Sequence, residues 1–266
     1  MTDRKLRILS FNIHKGFAPG NRRFVLRNIR EAIQSHGADL VFLQEVLGEH
    51  GAHSRTVPDW PETSQFEYLA EQLWPHYAYG RNAVYFEGHH GNALLSRYPI
   101  VQWENIDVSL NRFERRGLLH CIVDLPWSEL RLHTICVHLN IFERGRALQL
   151  DALCRRIEQH VPESEPLILA GDFNDWRQRT SLRLHERIGL SEAFLELHGM
   201  HARTFPARRP VLRLDRVYFR GFRAEQADTF SEPPWNALSD HVALHVELSA
   251  PPAPRKDRGR SACSDP

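Results

Sequence analysis

PLILAGDFN, residues 166–174, joins an apolar run to a polar ending. Leu167, Ile168, Leu169 and Ala170 follow one another without a polar break, as expected of a strand buried on both faces. Gly171, Asp172 and Asn174 then supply turn-forming residues together with a carboxylate and an amide. The same grammar recurs along the chain: ILSFN ends at Asn12, LVFLQE at Glu45, ICVHLN at His138 and Asn140, and LRLD at Asp215, while SDH places Asp240 and His241 just before the apolar run of HVALHVELS. Taken singly, each ending also reads as an ordinary turn, a cap or a satisfied core histidine. If the strand ends converge, this ordered set makes one polar pocket.

The segments between these strands set the fold class. KLRILSFNI (5–13) alternates as a strand, and Gly16, Pro19 and Gly20 mark the loop after it. Phe24, Val25, Ile29 and Ile33 fall at helical spacing within 21–36, with Gly37 placed as a C-cap. DLVFLQEV (39–46) is a buried strand, and 64–74 a second helix stopped by Pro75. A Gly- and His-rich loop leads to strands at GNALLSRYPI (91–100) and IDVSL (106–110). Residues 117–125 and 129–140 make a hairpin around Pro126, Trp127 and Ser128. Leu150, Leu153, Ile157 and Val161 stripe a helix over 143–161, a further helix lies near 180–188, and LRLDRVYF and HVALHVELS are strands. Strands alternate with helices early and come as hairpins later, which predicts an α/β protein with mixed sheets.

Composition narrows the class. With 266 residues, 42% of them hydrophobic, the chain is long enough for one large domain, placed at 1–249. The tail at 250–266 carries four prolines and many charges and is expected to be disordered. Thirty-four basic and thirty-three acidic side chains give a net charge of +1, without a global commitment to polyanions. The four cysteines, Cys121, Cys136, Cys154 and Cys263, form no C-x-x-C pair and read as reduced thiols. No stretch approaches the ~20 apolar residues of a membrane span, and the expected location is the cytoplasm.

The gathered residue types suit phosphoester chemistry. Mg²⁺ takes oxygen ligands, so a site needs carboxylates and amides rather than thiols, a role that Glu45 and Asp240 fit. Attack on a phosphodiester also needs a base for water and donors for the charge that builds on phosphoryl oxygens. His241 with Asp215, together with His138 and the amides, supplies such groups.

In order, SFNIHKG, LVFLQEV, GNALLSRYPI, VHLN, LAGDFND, LDRVYF and LSDHVALHVEL resemble the motifs of the endonuclease/exonuclease/phosphatase superfamily, the fold of pancreatic-type DNase. The resemblance runs over residues 5–249 and suggests a bacterial-type metal-dependent phosphodiesterase. It implies a four-layered α/β sandwich, two facing mixed sheets with helices outside, and a site at one end. By motif, Glu45 is the metal-ligand carboxylate, with Asn12 beside it and Asp240 joining the metal site. Asp172 and Asn174 resemble the pair that orients the attacking water, Asp215 the partner of His241, and His138 the second histidine of DNase-type members. Arg116, Asn92 and Asn140 are the candidate phosphate contacts. Mg²⁺ is the implied cofactor, with Mn²⁺ as a substitute. Two departures stand out: the glutamate that DNase-type enzymes pair with the second histidine has no assigned counterpart, Glu87 being merely nearby, and His14 stands where abasic endonucleases carry an aspartate.

The superfamily cleaves nucleic acids, phospholipids, inositol phosphates and other diesters, so the fold leaves the substrate to the loops. The candidate loops are 14–22, 47–63, 85–91 and 201–213, the last with Arg203, Arg208, Arg209 and Arg213. Phe17, Trp60, Trp176 and Trp235 are candidates for stacking on bases or touching lipid. A small or lipid-type phosphodiester is favoured, because the chain carries no basic arm; DNA or RNA cleavage is the alternative. An inactive binding protein of the same fold is disfavoured because Asn12, Glu45, His138, Asp172, Asn174, Asp215, Asp240 and His241 are all intact. No obligate protein partner is implied.

Overall fold

The computed structural model describes residues 5–21, 23–112 and 114–250. The tail beyond Ala250, with Cys263, lies outside the described residues. Two six-stranded sheets face each other. The first contains β1 (Lys5–Asn12), β2 (Leu40–His50), β3 (His76–Tyr85), β4 (Gly88–Ser96), β11 (Arg223–Phe230) and β12 (Ala243–Ser249), ordered β11-β12-β1-β2-β4-β3. The second contains β5 (Ile100–Asp107), β6 (Gly117–Val123), β7 (Leu132–His138), β8 (Leu167–Asp172), β9 (Ser191–Glu192) and β10 (Asp215–Arg220), ordered β5-β6-β7-β8-β10-β9. β1 with β2 and β7 with β8 are parallel; the other pairs are antiparallel, so both sheets are mixed.

Alternation along each strand builds the layers. Leu6, Ile8, Leu40 and Phe42 of the first sheet meet Leu119, Cys136, Ile168 and Val217 of the second in a central core. The intervening residues face outward. Leu9, Val41 and Leu43 are covered by Ile29 and Ile33 of α1 (Leu26–His36) and Leu69 of α3 (Gln65–Ala70). Ile135, Leu167 and Leu169 are covered by Leu153 and Ile157 of α4 (Glu143–His160) and Leu184 of α5 (Thr180–Ile188). Fully buried side chains of this size contribute about 1.5–3 kcal/mol each. Two short helices, α2 (Gly51–Thr56) and α6 (Ala193–His198), complete the fold. Among the described residues no helix is long and apolar enough to cross a membrane, and Cys121, Cys136 and Cys154 are buried free thiols.

The period of two also aims the polar strand ends. Asn12 shares a face with Leu6 and Ile8, His138 with Cys136, Asp172 with Ile168 and Ala170, Asp215 with Val217 and Phe219, and Asn92 with Leu94. All five therefore point into the gap between the sheets. Asp215 pairs with Asp172, and His138 with the same residue from the other side, so these ends lie at one edge of the sandwich.

Gly171 makes the close approach there possible. Its φ is +141°, and an added Cβ would lie 2.0 Å from the carbonyl oxygen of Val137 in β7. Gly171→Ala must push β7 and β8 apart beside Asp172. The expected cost is about 3 kcal/mol, roughly 6–12 °C in melting temperature by differential scanning calorimetry; an unshifted transition would show that the strands absorb the methyl group.

Several elements differ from the sequence expectation. The Phe17–Phe24 bridge holds the chain extended, so the first helix begins at Leu26 rather than 21. The expected 64–74 helix ends at Ala70, although its start is fixed by a Ser64–Glu67 capping box. β2 runs on past residue 46 to His50. Residues 76–85, expected within a loop, form β3, and α2, β9, α6 and β11 had no counterpart in the sequence reading.

Candidate functional site

Asp172 occupies the centre of the polar end. Its Oδ1 accepts the backbone N–H of Asn174 at 2.9 Å, and its Oδ2 accepts from Asn12 Nδ2 at 3.3 Å. His138 Nε2 stands 3.4 Å and His241 Nε2 3.7 Å from that same oxygen. Behind His241, Nδ1 contacts Asp215 Oδ2 at 2.9 Å. The loop carrying His241 is fastened by Ser239, whose hydroxyl donates to the Asn12 carbonyl at 2.6 Å and accepts from the His241 N–H at 3.2 Å. Asn174, at φ +50°, donates its side-chain amide to Leu139 O at 2.9 Å, tying the end of β8 to that of β7.

Burial and charge set the protonation states. Burial drives the Asp172 carboxyl above the usual range; His241 opposes this, while Asp215 and Glu45 add to it. Burial disfavours the His241 cation, but Asp215 and Asp172 outweigh it and raise the ring to about 10. Burial, with Arg116, holds His138 well below the normal histidine value. At neutral pH the centre thus holds a carboxylate between a neutral imidazole and an imidazolium that is itself backed by a second carboxylate.

Glu45 reaches this end through an irregularity. Continued alternation from Phe42 would turn Glu45 away from the inter-sheet gap. The register with β4 shifts between Leu43 and Val46, and Glu45 adopts φ +55°, a bulge that re-aims the side chain. Its Oε1 accepts from Asn12 Nδ2 at 3.4 Å. Burial opposes ionisation, yet His138, Lys15, His14 and His241 together hold its pKa down at about 2.

Glu45 and Asp240 are the half-open carboxylates, with side chains 21% and 30% exposed. Each is met by a basic side chain, Lys15 Nζ at 3.6 Å from Glu45 and His14 Nδ1 at 3.2 Å from Asp240. Partly open anionic oxygen donors fit a hard divalent cation. Asp172, Asp215 and His241 also bring potential ligand atoms together, all within 4.8 Å of one another. Those three side chains are buried, whereas Glu45 and Asp240 are partly open, so Glu45 and Asp240 are the better candidates. Asn12 is less suited than expected: its Oδ1 accepts the His14 N–H at 3.1 Å, and its amino group, a donor, faces the carboxylates.

The three expected phosphate contacts are engaged elsewhere. Asn140 donates to Glu114 and accepts from Phe142 N at 2.7 Å, closing a turn before α4. Asn92 donates to Gly117 O and Cys136 O at 3.1 and 3.3 Å, leaving only a buried acceptor oxygen, which repels phosphate oxygens. Arg116 bonds Leu139 O and Glu114 at 3.3 and 3.1 Å, although it lies near enough to His138 to lower its pKa. Glu87 pairs with Arg55 rather than with a site histidine. Of the candidate aromatics, Phe17 packs on Phe24 and His53, Trp60 stacks on Phe24, and Trp235 lies against Phe11 and Phe230, leaving Trp176 exposed.

Three side chains near the site went unassigned in the sequence. His14 and Lys15 lie in consecutive left-handed conformations, φ +45° and +57°, for which only the neighbouring Gly16 gave a loop signal. His90, opposite Leu47 in β4, feels Lys15, Glu45 and Arg116, and burial together with Lys15 lowers its pKa to about 4.

Residues 9–241 match the profile of the "Endonuclease/Exonuclease/phosphatase family". The chain belongs to this family. It is 47% identical over 242 residues to the uncharacterized protein YbhP of Escherichia coli K12, covering 91% of this chain and 95% of that one. Among solved structures, an endonuclease/exonuclease/phosphatase from Beutenbergia cavernae superposes with a TM-score of 0.74 at 22% identity, covering 93% of this chain and 72% of the other. TDP2 of D. rerio, complexed with single-strand DNA product, gives 0.68 at 20% identity, covering 92% and 99%. These likenesses establish the family's four-layered sandwich for this chain.

Proposed function

We propose that the chain, a phosphoester hydrolase by family, is a divalent-metal-dependent phosphodiesterase whose site is built from Glu45, Asp240, Asp172, Asn174, His138, Asp215 and His241. The observation that carries this reading is Asp172 Oδ2, set between His138 and His241 with Asp215 behind the second ring. A carboxylate in that position, its other oxygen pinned by the Asn174 N–H, can orient a water and accept its proton. The His241 imidazolium, fixed by Asp215, presents its Nε2–H to the same space and can donate to a phosphoryl or leaving oxygen. His138, neutral, offers a further polar edge. Asn174, held to Leu139, keeps the turn after Asp172 rigid. A metal ion held by Glu45 and Asp240 would supply a Lewis acid for phosphoryl charge. Mg²⁺ is the ion we assign, with Mn²⁺ as a substitute.

Protein stripped with EDTA is expected to hydrolyse bis-p-nitrophenyl phosphate at under about a hundredth of the rate regained with Mg²⁺ or Mn²⁺. Full turnover in chelator would sink the metal dependence, and no turnover with any divalent ion would sink the phosphodiesterase reading. A panel of plasmid DNA, abasic duplex, RNA, phospholipids and inositol phosphates then assigns the substrate. Small or lipid-type diesters are the expected class, and selective nicking of DNA would establish the nuclease alternative instead.

A further inference from the structure

The exposed apolar side chains of this molecule are unevenly placed. At the end of the sandwich opposite the site, the connecting loops at 97–99, 124–131, 162–166 and 221–222 carry one exposed large hydrophobic residue among the described residues, Leu130. At the site end, the loops after β3, β5, β7 and β8 and the one before β10 carry one or more, while those after β1, β2 and β11 carry none among the described residues. β7 ends at His138 and is followed by Ile141 and Phe142, the latter 74% exposed. β8 ends at Asp172 and is followed by Trp176. Val211 and Leu212 precede Asp215, and Leu110 lies in the loop leading into β6. The β3–β4 hairpin runs on past Glu45, with His50 of β2 paired to Gly88, so its tip stands roughly 15 Å beyond that carboxylate at the rise of a strand. Phe86 at the tip is 100% exposed.

Basic groups alternate with these tips. Arg81, Arg144, Arg208 and Arg209 are exposed and form no ion pair with another described residue. Of the acidic residues nearby, Glu87 is paired with Arg55 and Glu143 with Arg177 and Arg179, while Glu49, Asp59 and Glu62 stay exposed. A soluble domain seldom concentrates apolar tips on one face unless that face meets something. We propose that the rim around the site docks on an anionic phospholipid bilayer, inserting Phe86, Phe142 and their aliphatic neighbours among the headgroups while the free arginines meet lipid phosphates. The proposal rests on the phosphodiesterase reading and gives that site a membrane lipid as its substrate class.

Single-stranded nucleic acid is the other polyanion such arginines suit, but it is held by flat aromatic rings. Phe86 and Phe142 offer such rings, but Leu110, Ile141, Val211 and Leu212 have none, and one face of the Trp176 ring is covered by the Arg177 guanidinium at 4.6 Å. Aliphatic tips are matched by acyl chains.

The test is co-sedimentation of the full chain with vesicles of phosphatidylglycerol and phosphatidylethanolamine, beside vesicles of phosphatidylcholine alone and a fluorescent single-stranded oligonucleotide. The wild type is expected to bind the anionic vesicles, less so at high salt, and the double variant Phe86→Ser with Phe142→Ser to bind them about tenfold more weakly or worse. Serine is a favourable residue at the N-cap position that Phe142 holds before α4, so the helix survives the change. Hydrolysis of bis-p-nitrophenyl phosphate without vesicles, read in parallel, reports the fold of the variant and tests the phosphodiesterase reading separately. Vesicle binding that is absent or indifferent to the two substitutions overturns the proposal. Tighter binding to the oligonucleotide, or self-association of the wild type that the variant loses, overturns it in favour of nucleic acid or a second copy.

Discussion

Asp172→Asn is expected to lose about 10³-fold in kcat for bis-p-nitrophenyl phosphate, roughly 4 kcal/mol of transition-state stabilisation, while melting within a few degrees of the wild type. The amide is isosteric and keeps one contact, since its oxygen can still accept the Asn174 N–H at 2.9 Å. Its amino group must then face Asn12 Nδ2, 3.3 Å from the present oxygen, and the Nε2 edge of His241, 3.7 Å away. Donor meets donor where a carboxylate accepted. The charge proposed to accept a proton from water is gone as well, and with it an anion that helps keep His241 protonated. Stability should hold because burial already disfavours the ionised form of Asp172, so removing its charge relieves a desolvation cost as it removes attraction. Steady-state kinetics beside a thermal melt separates the two effects. Retention of more than about a tenth of the activity would remove Asp172 from the role of base.

How much of this was legible in the sequence follows from burial. Strands with both faces covered, such as LILAGD and LVFLQ, announce themselves as apolar runs, and helices with one covered stripe, such as 180–188, show their period. The unanticipated strands are edges. β3 and β11 are the two outer strands of the first sheet and β9 an outer strand of the second. HYAYGRNAVY and RAEQADTF are half-exposed, polar and interrupted, as edge strands tend to be. Their partners were readable; their own composition carried little pattern.

The site divides along the same line. Asn12, His138, Asp172 and Asp215 arrive by strand parity, which a sequence displays. Glu45 arrives through a left-handed bulge that no residue type in LVFLQEV advertises. Asn140 and Asn92 belong to the right motifs, but their donors are taken by Glu114 and by the carbonyls of Gly117 and Cys136. Motif membership places a residue near the chemistry, whereas hydrogen-bond partners decide whether it is free to act. Those partners come from distant segments, and a linear reading does not see them.

His241→Gln should change both the rate and the shape of the pH profile. On the proposed mechanism the competent wild-type form has Asp172 ionised and His241 protonated. Burial raises the Asp172 pKa, so kcat/KM is expected to climb with pH through a limb above the ordinary carboxylate range. Asp215 and Asp172 together hold His241 protonated to about 10, against burial, so activity should stay level across neutral pH and fall once pH passes that value. Glutamine preserves a donor toward Asp215 but carries no proton to give, and about 10²–10³-fold of the rate should go with it. The alkaline limb should vanish, because the group that loses its proton there is gone. The acid limb should move to higher pH, because the His241 cation now lowers the Asp172 pKa and its removal lets burial, Asp215 and Glu45 act unopposed. A residue that merely braced the loop would slow the enzyme without moving either limb. An alkaline limb that persists near 10 in the variant would assign it to another group and leave His241 as a structural partner of Asp215.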